Sequence, residues 1–274
     1  MYTALPNSSP CAPSLAVIFV SSDCPLAKLK LINNTILITG GGSGIGLELT
    51  KTLLRMGNIV IICGRSENKL QMVKNDLPRV HTVQCDVSDQ KQREELFSQV
   101  TNEHPQLNIL INNAVIVNYL KIQDKNYSAA LVDQEIQTNF VGPVGLIKLF
   151  LSHLSRQQNS AIINMTTGLV YAPHADMPGY CASKAALHSY TQSLRLQLID
   201  KPIKIFEIMM TAVDTHFHDG GHVPEIAISS ERAVALMLKG LQKSKKEIKI
   251  GKVKQLSLMS RIAPELSLKL VNRL

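Results

Sequence analysis

The sequence predicts a doubly wound α/β domain built on one parallel sheet, and three observations predict it. Short apolar runs rich in β-branched residues recur along the chain, stretches with helical periodicity separate them, and the first run ends in the glycine cluster Gly40-Gly41-Gly42-Ser43-Gly44-Ile45-Gly46, which leads into a helical pattern. Continuous apolar strands alternating with amphipathic helices argue for strands buried on both faces. Ligands in such sheets bind beyond the carboxyl ends of the strands.

Residues Met1 to Lys28 are rich in Pro and Ser, with no Lys or Arg before Lys28 and one short apolar run, Leu15 to Val20. That run lacks the basic flank and length of a signal-peptide core, and an arginine-free tail is not a transit peptide. Residues 1–28 are expected to be a flexible extension. Translation from a start near Leu29 is a further expectation, which an intact mass containing Met1 would exclude. The first strand follows at Thr35 to Thr39, a β-branched run. After the glycines, Ile45, Leu49, Leu53 and Met56 stand at helical spacing, so Ile45 to Met56 reads as the first helix. Strands recur at Ile59 to Cys63, His81 to Cys85, Leu107 to Ile111, Ser160 to Met165, Ile203 to Met209 and Glu247 to Ile250. Helical patterns lie at Glu67 to Asp76, Asp89 to Glu103, Asp133 to Leu154, Gly179 to Leu198 and Glu231 to Leu241. A single domain over 29–255 is expected. The tail 256–274 is amphipathic, with Arg261, Lys269 and Arg273 and an interruption at Pro264. Docking on its own core or a dimer mate is favoured for the tail over contact with an anionic membrane surface.

Composition fits that plan. At 274 residues and 45% apolar, the chain can bury one large core. Its 29 Lys and Arg against 21 Asp and Glu give +8, but the basic residues are scattered and dense only from Lys243 to Lys254, which reads as a solvated face with no nucleic-acid partner. The five cysteines, 11, 24, 63, 85 and 181, are odd in number and never at metal spacing. Free thiols in a reducing, cytoplasmic setting and no metal site are therefore expected. No apolar run approaches the ~20 residues of a membrane span.

The glycine cluster lets the chain turn tightly and a phosphate approach the backbone, while the helix behind it offers unpaired amides and a positive dipole end. Farther on, Tyr180 and Lys184 stand four residues apart and share a helix face. An ammonium beside a phenol favours the phenolate, which suits Tyr180 to acid and base work. Pro143 stands four residues after Asn139, so the Asn139 carbonyl loses the amide a regular helix would supply. His216, His218 and His222 beside Asp219 could hold a metal, but the Gly220-Gly221 pair favours a mobile lid. Tyr171, His174 and Met177 are expected to line the pocket opposite it.

In combination, Thr-Gly-x-x-x-Gly-x-Gly at Thr39 to Gly46, Asn112-Asn113-Ala114, Asn139 and Tyr180-x-x-x-Lys184 resemble the short-chain dehydrogenase/reductase family over residues 30 to 250. Within it, the chain is similar to a bacterial subgroup often labelled with D-alanine esterification of teichoic acid, a label that names no reaction. The resemblance implies a Rossmann-type fold and an NAD(P)-linked interconversion of a small carbonyl and alcohol. It implies Tyr180 as general acid and base, and Lys184 tuning it and holding ribose hydroxyls. It further implies Thr167 in place of the substrate-positioning Ser, and Asn139 supporting a water-linked proton relay. It assigns cofactor contacts to Gly40, Ser43, Gly44, Ile45, Gly46, Arg65, Asp86, Val87, Asn113, Ala114, Tyr180, Lys184, Val213 and Thr215, with Asp86 on the adenine and Asn112 holding the central strands. A homodimer or homotetramer is expected. At the end of the second strand Gly64 stands where an acid would accept the 2'-hydroxyl of NAD, and Arg65 can grip a 2'-phosphate, so NADP(H) is favoured over NAD(H).

Three departures keep a second reading open. Val115 replaces the family's Gly after Asn-Asn-Ala, Thr167 replaces Ser, and the loop after the sixth strand reads Met209-Met210-Thr211-Ala212-Val213-Asp214-Thr215 without its usual Pro. The alternative is a cofactor-binding sensor or scaffold of the same fold with little or no catalytic power.

Overall fold

The computed structural model describes residues 28–214 and 226–273. In chain order its elements are β1 (Thr35–Thr39), α1 (Gly44–Arg55), β2 (Ile59–Gly64), α2 (Glu67–Asp76), β3 (His81–Gln84), α3 (Gln90–Glu103), β4 (Leu107–Asn112), α4 (Ala129–Ile136), α5 (Gly142–Leu154), β5 (Ser160–Thr167), α6 (Pro178–Gln197), β6 (Ile203–Met210), β7 (Val213–Asp214), β8 (Ile228–Ser229), α7 (Ser230–Gln242), β9 (Glu247–Lys249), α8 (Val253–Ile262) and α9 (Pro264–Asn272).

Seven strands form one parallel sheet in the order β3-β2-β1-β4-β5-β6-β9, the doubly wound Rossmann-type arrangement the sequence predicts. Successive strands run outward from β1 through β2 to β3, and then the chain crosses back to β4 on the other side of β1. The order therefore reverses between β1 and β4, which opens a crevice at their carboxyl ends. Alternate residues of each strand feed two cores. On one face Ile36, Ile38, Ile62, Ile109 and Ile163 pack with Leu49 and Leu53 of α1 and Val234 and Met237 of α7. On the other, Leu37, Ile61, Leu110 and Ile162 meet Leu96 of α3, Phe150 of α5 and Leu194 of α6. Leu29 and Leu31 are buried in the first core, and the Leu29 amide donates to Ser244 Oγ at 3.2 Å, so these residues already belong to the packed domain.

Two expectations about elements need correction. The single helix expected from Asp133 to Leu154 begins earlier, at Ala129, and is broken by a π turn at Gln137–Val141. Pro143 supplies no amide to Asn139, and the Gly142 amide reaches back five residues to the Gln137 carbonyl, which widens the turn. The tail is two helices, and the first starts at Val253, three residues before the expected boundary. They part at Ala263, whose backbone (φ −140°, ψ 71°) lies outside the helical region, which a following proline disfavours. Thr215, the lid and the three histidines at 216, 218 and 222 lie outside the described residues.

Candidate active site

The crevice at the reversal point is built by backbone and small side chains. Gly40 has φ +66°, and a Cβ on Gly46 would come 2.1 Å from the Gly40 carbonyl oxygen, so the turn from β1 into α1 admits no larger residue at either position. The Thr39 hydroxyl oxygen accepts from the amides of Asn113 and Ala114, both at 2.9 Å, and Asn113 Nδ2 donates back to the Thr39 and Gly40 carbonyls at 3.0 and 3.1 Å. These bonds lock the end of β4 to the glycine turn. Asn112 Nδ2 donates to Asn164 Oδ1 at 2.8 Å, and Asn164 to Thr191 at 2.9 Å, which ties β4, β5 and α6 together.

A hollow beside that turn is bordered by Gly40, Gly42, Ser43, Gly64, Arg65, Asp86, Val87, Ala114 and Val115. At Gly42 and Gly64 an added Cβ would meet its nearest neighbour, Leu70 Cδ2, only at 3.9 and 3.8 Å, so any side chain there would fill the hollow itself. The side chains of Ser66 and Asp89 cap α2 and α3, whereas Ser43 makes no such bond to α1 and no acid stands in its first turn. The leading amides of α1 thus keep their donors for an anion, and the residues present fit the pyrophosphate of a dinucleotide. Arg65 is exposed at the rim with no carboxylate paired to it among the described residues. Asp86 Oδ1 accepts from the amide and hydroxyl of Ser88, at 2.9 and 2.7 Å. Val213 is buried at the start of β7, and Ile45 packs on the first core.

Next to the hollow, α6 opens with Pro178 in its first turn and carries Tyr180 and Lys184 on one face, both buried. Thr167 ends β5, where its hydroxyl oxygen accepts from the Leu169 amide at 3.2 Å and its proton points to the Met210 carbonyl at 3.4 Å. Burial pushes the Tyr180 phenol well above its ordinary value. The Thr167 hydroxyl pulls it back in part, and Cys181, Tyr119 and Glu135 add to the upward push. This is the reverse of the sequence expectation that Lys184 would lower it. Lys184 Nζ donates to the Met165 carbonyl at 2.9 Å, and burial draws its own pKa down to about 7, so its charge near neutrality is partial. Asn139 is fully buried in the π turn. Its Oδ1 accepts from the Ile116 amide at 2.9 Å, and its Nδ2 donates to the Ile116 carbonyl at 2.9 Å and to Ser183 Oγ at 3.1 Å. Ser183 in turn donates to the Tyr180 carbonyl at 2.7 Å, so Asn139 braces the Tyr180 turn of α6 against the loop after β4.

The family description "short chain dehydrogenase" matches residues 34–221. The chain belongs to the short-chain dehydrogenase/reductase family. It is 46% identical over 224 residues to an uncharacterized oxidoreductase, DltE, of Bacillus subtilis strain 168, a match that covers 80% of this chain and 89% of that one. Among solved structures, a short-chain dehydrogenase of Burkholderia cenocepacia in complex with NADP superposes with TM-score 0.78 at 22% identity, covering 88% of this chain and 98% of that one. A Burkholderia phymatum member in complex with NAD superposes with TM-score 0.77 at 18% identity, covering 88% and 96%. This short-chain dehydrogenase/reductase is accordingly an NAD(P)-dependent oxidoreductase by family, with a fold shared well beyond recognisable sequence identity.

The structure of this dehydrogenase adds residues that the sequence reading passed over. Glu135 of α4 is buried. Its Oε1 accepts from the Asn118 amide at 2.7 Å, and a Cβ on Gly179 would fall 2.1 Å from its Oε2. Burial raises its pKa, partly opposed by bonds from Asn118. Its place four residues before Asn139, on one helix face with it, was a signal that spacing alone could have given. Val115, Val117, Tyr119 and Leu169 pack against Met177, Tyr180 and Cys181, which makes an apolar wall beside the phenol. Met177 packs with Tyr180 and Cys181 in that wall. Tyr171 places its hydroxyl 3.2 Å from Met209 Sδ and its ring beneath Lys249 and beside His188. Cys63, Cys85 and Cys181 are free and buried, and no helix among the described residues is long and apolar enough to cross a membrane.

Proposed function

We propose that this enzyme interconverts a small apolar carbonyl compound and its alcohol with NADP(H). The observation that carries the reading is the convergence of Tyr180, Thr167 and Lys184 at the carboxyl end of β5, next to the glycine-lined hollow. When bound there, the reduced nicotinamide supplies a hydride. The chain's own residues do the rest. Burial keeps the Tyr180 phenol protonated through the neutral range, which suits it to give its proton to a carbonyl oxygen. The Thr167 hydroxyl orients that oxygen, and the walls of Val117, Leu169 and Met177 exclude water. Lys184, with a pKa of about 7, can return a proton towards Tyr180 near neutrality. Asn139 and Ser183 hold the turn that carries Tyr180. Arg65 and Gly64 at the rim favour a 2'-phosphate over a free 2'-hydroxyl. A homodimer or homotetramer follows from the family pattern.

Titration with NADPH and NADH by fluorescence, followed by a panel of aldehydes and ketones, tests this. NADPH should bind the tighter, and Arg65→Ala should weaken it about tenfold while leaving NADH nearly unchanged. Tyr180→Phe should keep nucleotide affinity and lose turnover by about 10²- to 10⁴-fold. Tight binding with no turnover of any substrate in the native protein would favour a sensor or scaffold, and full turnover by Tyr180→Phe would overturn the assignment of the acid.

A further inference from the structure

The two C-terminal helices bury the wrong residues for a segment that ends at its own core. Ser257 of α8 and Ser267 of α9 are 4% and 1% exposed, while Ile262 and Leu270 stand 75% and 64% exposed, with Leu258, Leu266 and Leu268 also open. Five of the large apolar side chains exposed among the described residues thus fall within 13 residues of chain. The inversion has a local cause. The small serines let the helices pack closely, Ser257 accepts from Lys249 Nζ at 2.8 Å, and Ser267 donates to the Pro264 carbonyl at 2.7 Å. The leucines are left facing outward on ordered helices. Patches of this kind mark interaction surfaces.

The charge on the same face selects the partner. On α8, Lys254, Leu258, Arg261 and Ile262 follow at i, i+4, i+7 and i+8, and on α9, Leu266, Lys269 and Leu270 follow at i, i+3 and i+4 with Arg273 exposed just past its end, so cations and apolar side chains share the outward side. Residues 252–273 carry five basic residues against the single acid Glu265, a net charge of +4. Lys254 and Arg261 have no carboxylate partner among the described residues, and with Lys249 and Leu258 they border a hollow of about 420 Å³. Two copies of this face brought together would set +4 against +4. We infer that the α8–α9 hairpin docks on an anionic lipid surface, with its leucines among the acyl chains and its lysines and arginines at the headgroups.

The hairpin is also wired to the mouth of the site. Asn272 Oδ1 accepts from the Ala175 amide at 2.7 Å, and its Nδ2 donates to the Pro173 carbonyl at 3.0 Å, in the loop that leads into α6 and Tyr180. Docking would turn that loop toward the bilayer.

Co-sedimentation of the full chain with vesicles tests the docking directly and does not depend on turnover. Vesicles of phosphatidylcholine with about a third phosphatidylglycerol should pellet the protein several-fold better than phosphatidylcholine alone, less so at high salt. Lys254→Glu with Arg261→Glu should cut the pelleted fraction five- to tenfold, and Ile262→Ser with Leu266→Ser at least fivefold, with unchanged melting temperatures because all four side chains are exposed. Equal pelleting on both vesicle types, or pelleting that neither pair of substitutions alters, would overturn the proposal. So would a dimer that Ile262→Ser with Leu266→Ser dissociates in the absence of any vesicle binding, because the face would then belong to a second copy.

Discussion

Two ionisable side chains are buried in this enzyme, Glu207 within β6 and Lys184 on α6 against β5, and they are treated in opposite ways. Glu207, in the middle of β6, is fully buried. Its Oε1 accepts from Thr166 Oγ1 at 2.7 Å and faces His188 Nδ1 at 2.8 Å, while Arg195 Nη2 lies 3.5 Å from its Oε2, an ion pair without a hydrogen bond. Lys184 is 3% exposed and donates to the Met165 carbonyl, an uncharged group, and burial draws its pKa to about 7. The Glu207 cluster neutralises its ion and joins β5, β6 and α6. The Lys184 site leaves its ion under-compensated at the carboxyl end of the same strands. A buried charge held against its own solvation cost marks a place where chemistry, more than stability, explains the residue.

Removing each ion should therefore move stability in opposite directions. Glu207→Ala would leave Thr166, His188 and Arg195 facing an emptied, buried position, and a loss of about 3–5 kcal/mol is expected, read as a fall in melting temperature or denaturant midpoint. Equal stability of this variant and the native chain would mean that the cluster is solvated and not structural. Lys184→Met keeps the volume, removes the buried charge and forfeits one bond to a carbonyl. A net gain of about 1–2 kcal/mol is expected together with loss of turnover. A Lys184→Met protein that is both less stable and inactive would make the lysine an ordinary structural ion.

The same contrast has a pH signature. The folded pKa of Lys184, about 7, lies below its ordinary 10.5, so between these values the unfolded chain holds a proton that the folded chain lacks. Stability should then rise with pH through that window, at most by about 1.4 kcal/mol per unit, and the cost of the buried charge should be greatest below pH 7. Lys184→Met should flatten that rise. A denaturation series from pH 6 to 10 that gives both proteins the same slope would show that Lys184 keeps its proton in the fold.

The part of this molecule that was legible in the sequence is the part fixed by backbone. Glycines that only a tight turn tolerates, apolar runs buried on both faces, and the Asn112-Asn113-Ala114 stretch whose amides fasten to Thr39 announce the sheet and the nucleotide crevice, because local geometry dictates them. Pro143 announced a disturbance beside Asn139, but its form, a π turn with the Asn139 side chain braced on Ile116 and Ser183, depends on partners far away in sequence. The pKa of Tyr180 departs from the sequence expectation for the same reason. Spacing in the sequence brings Lys184 alongside, whereas the direction of the shift is decided by burial and by Glu135 and Tyr119, which come from another helix and a loop. Glu207 falls inside the expected strand Ile203 to Met209, and only the tertiary fold gives it Arg195 and His188.

The smallest effect probes the finest of the departures, Thr167 in place of serine. The hydroxyl that the proposed function assigns to orienting the substrate oxygen is held by the Leu169 amide and the Met210 carbonyl, and a serine can make both bonds. What the threonine adds is a methyl group and a stiffer side-chain torsion next to the apolar wall of Leu169 and Met177. Thr167→Ser should therefore leave turnover of a small aldehyde within a few-fold of native, and raise kcat/KM for a branched ketone by about three- to tenfold, the range expected for one methyl group in an apolar pocket. Thr167→Ala, which removes the hydroxyl as well, should lower kcat for both substrates. If serine and alanine behaved alike, the hydroxyl would have no part in orienting the oxygen, and Thr167 would be a strand-end residue that secures Met210. That outcome would move it from the Lys184 side of the comparison to the Glu207 side.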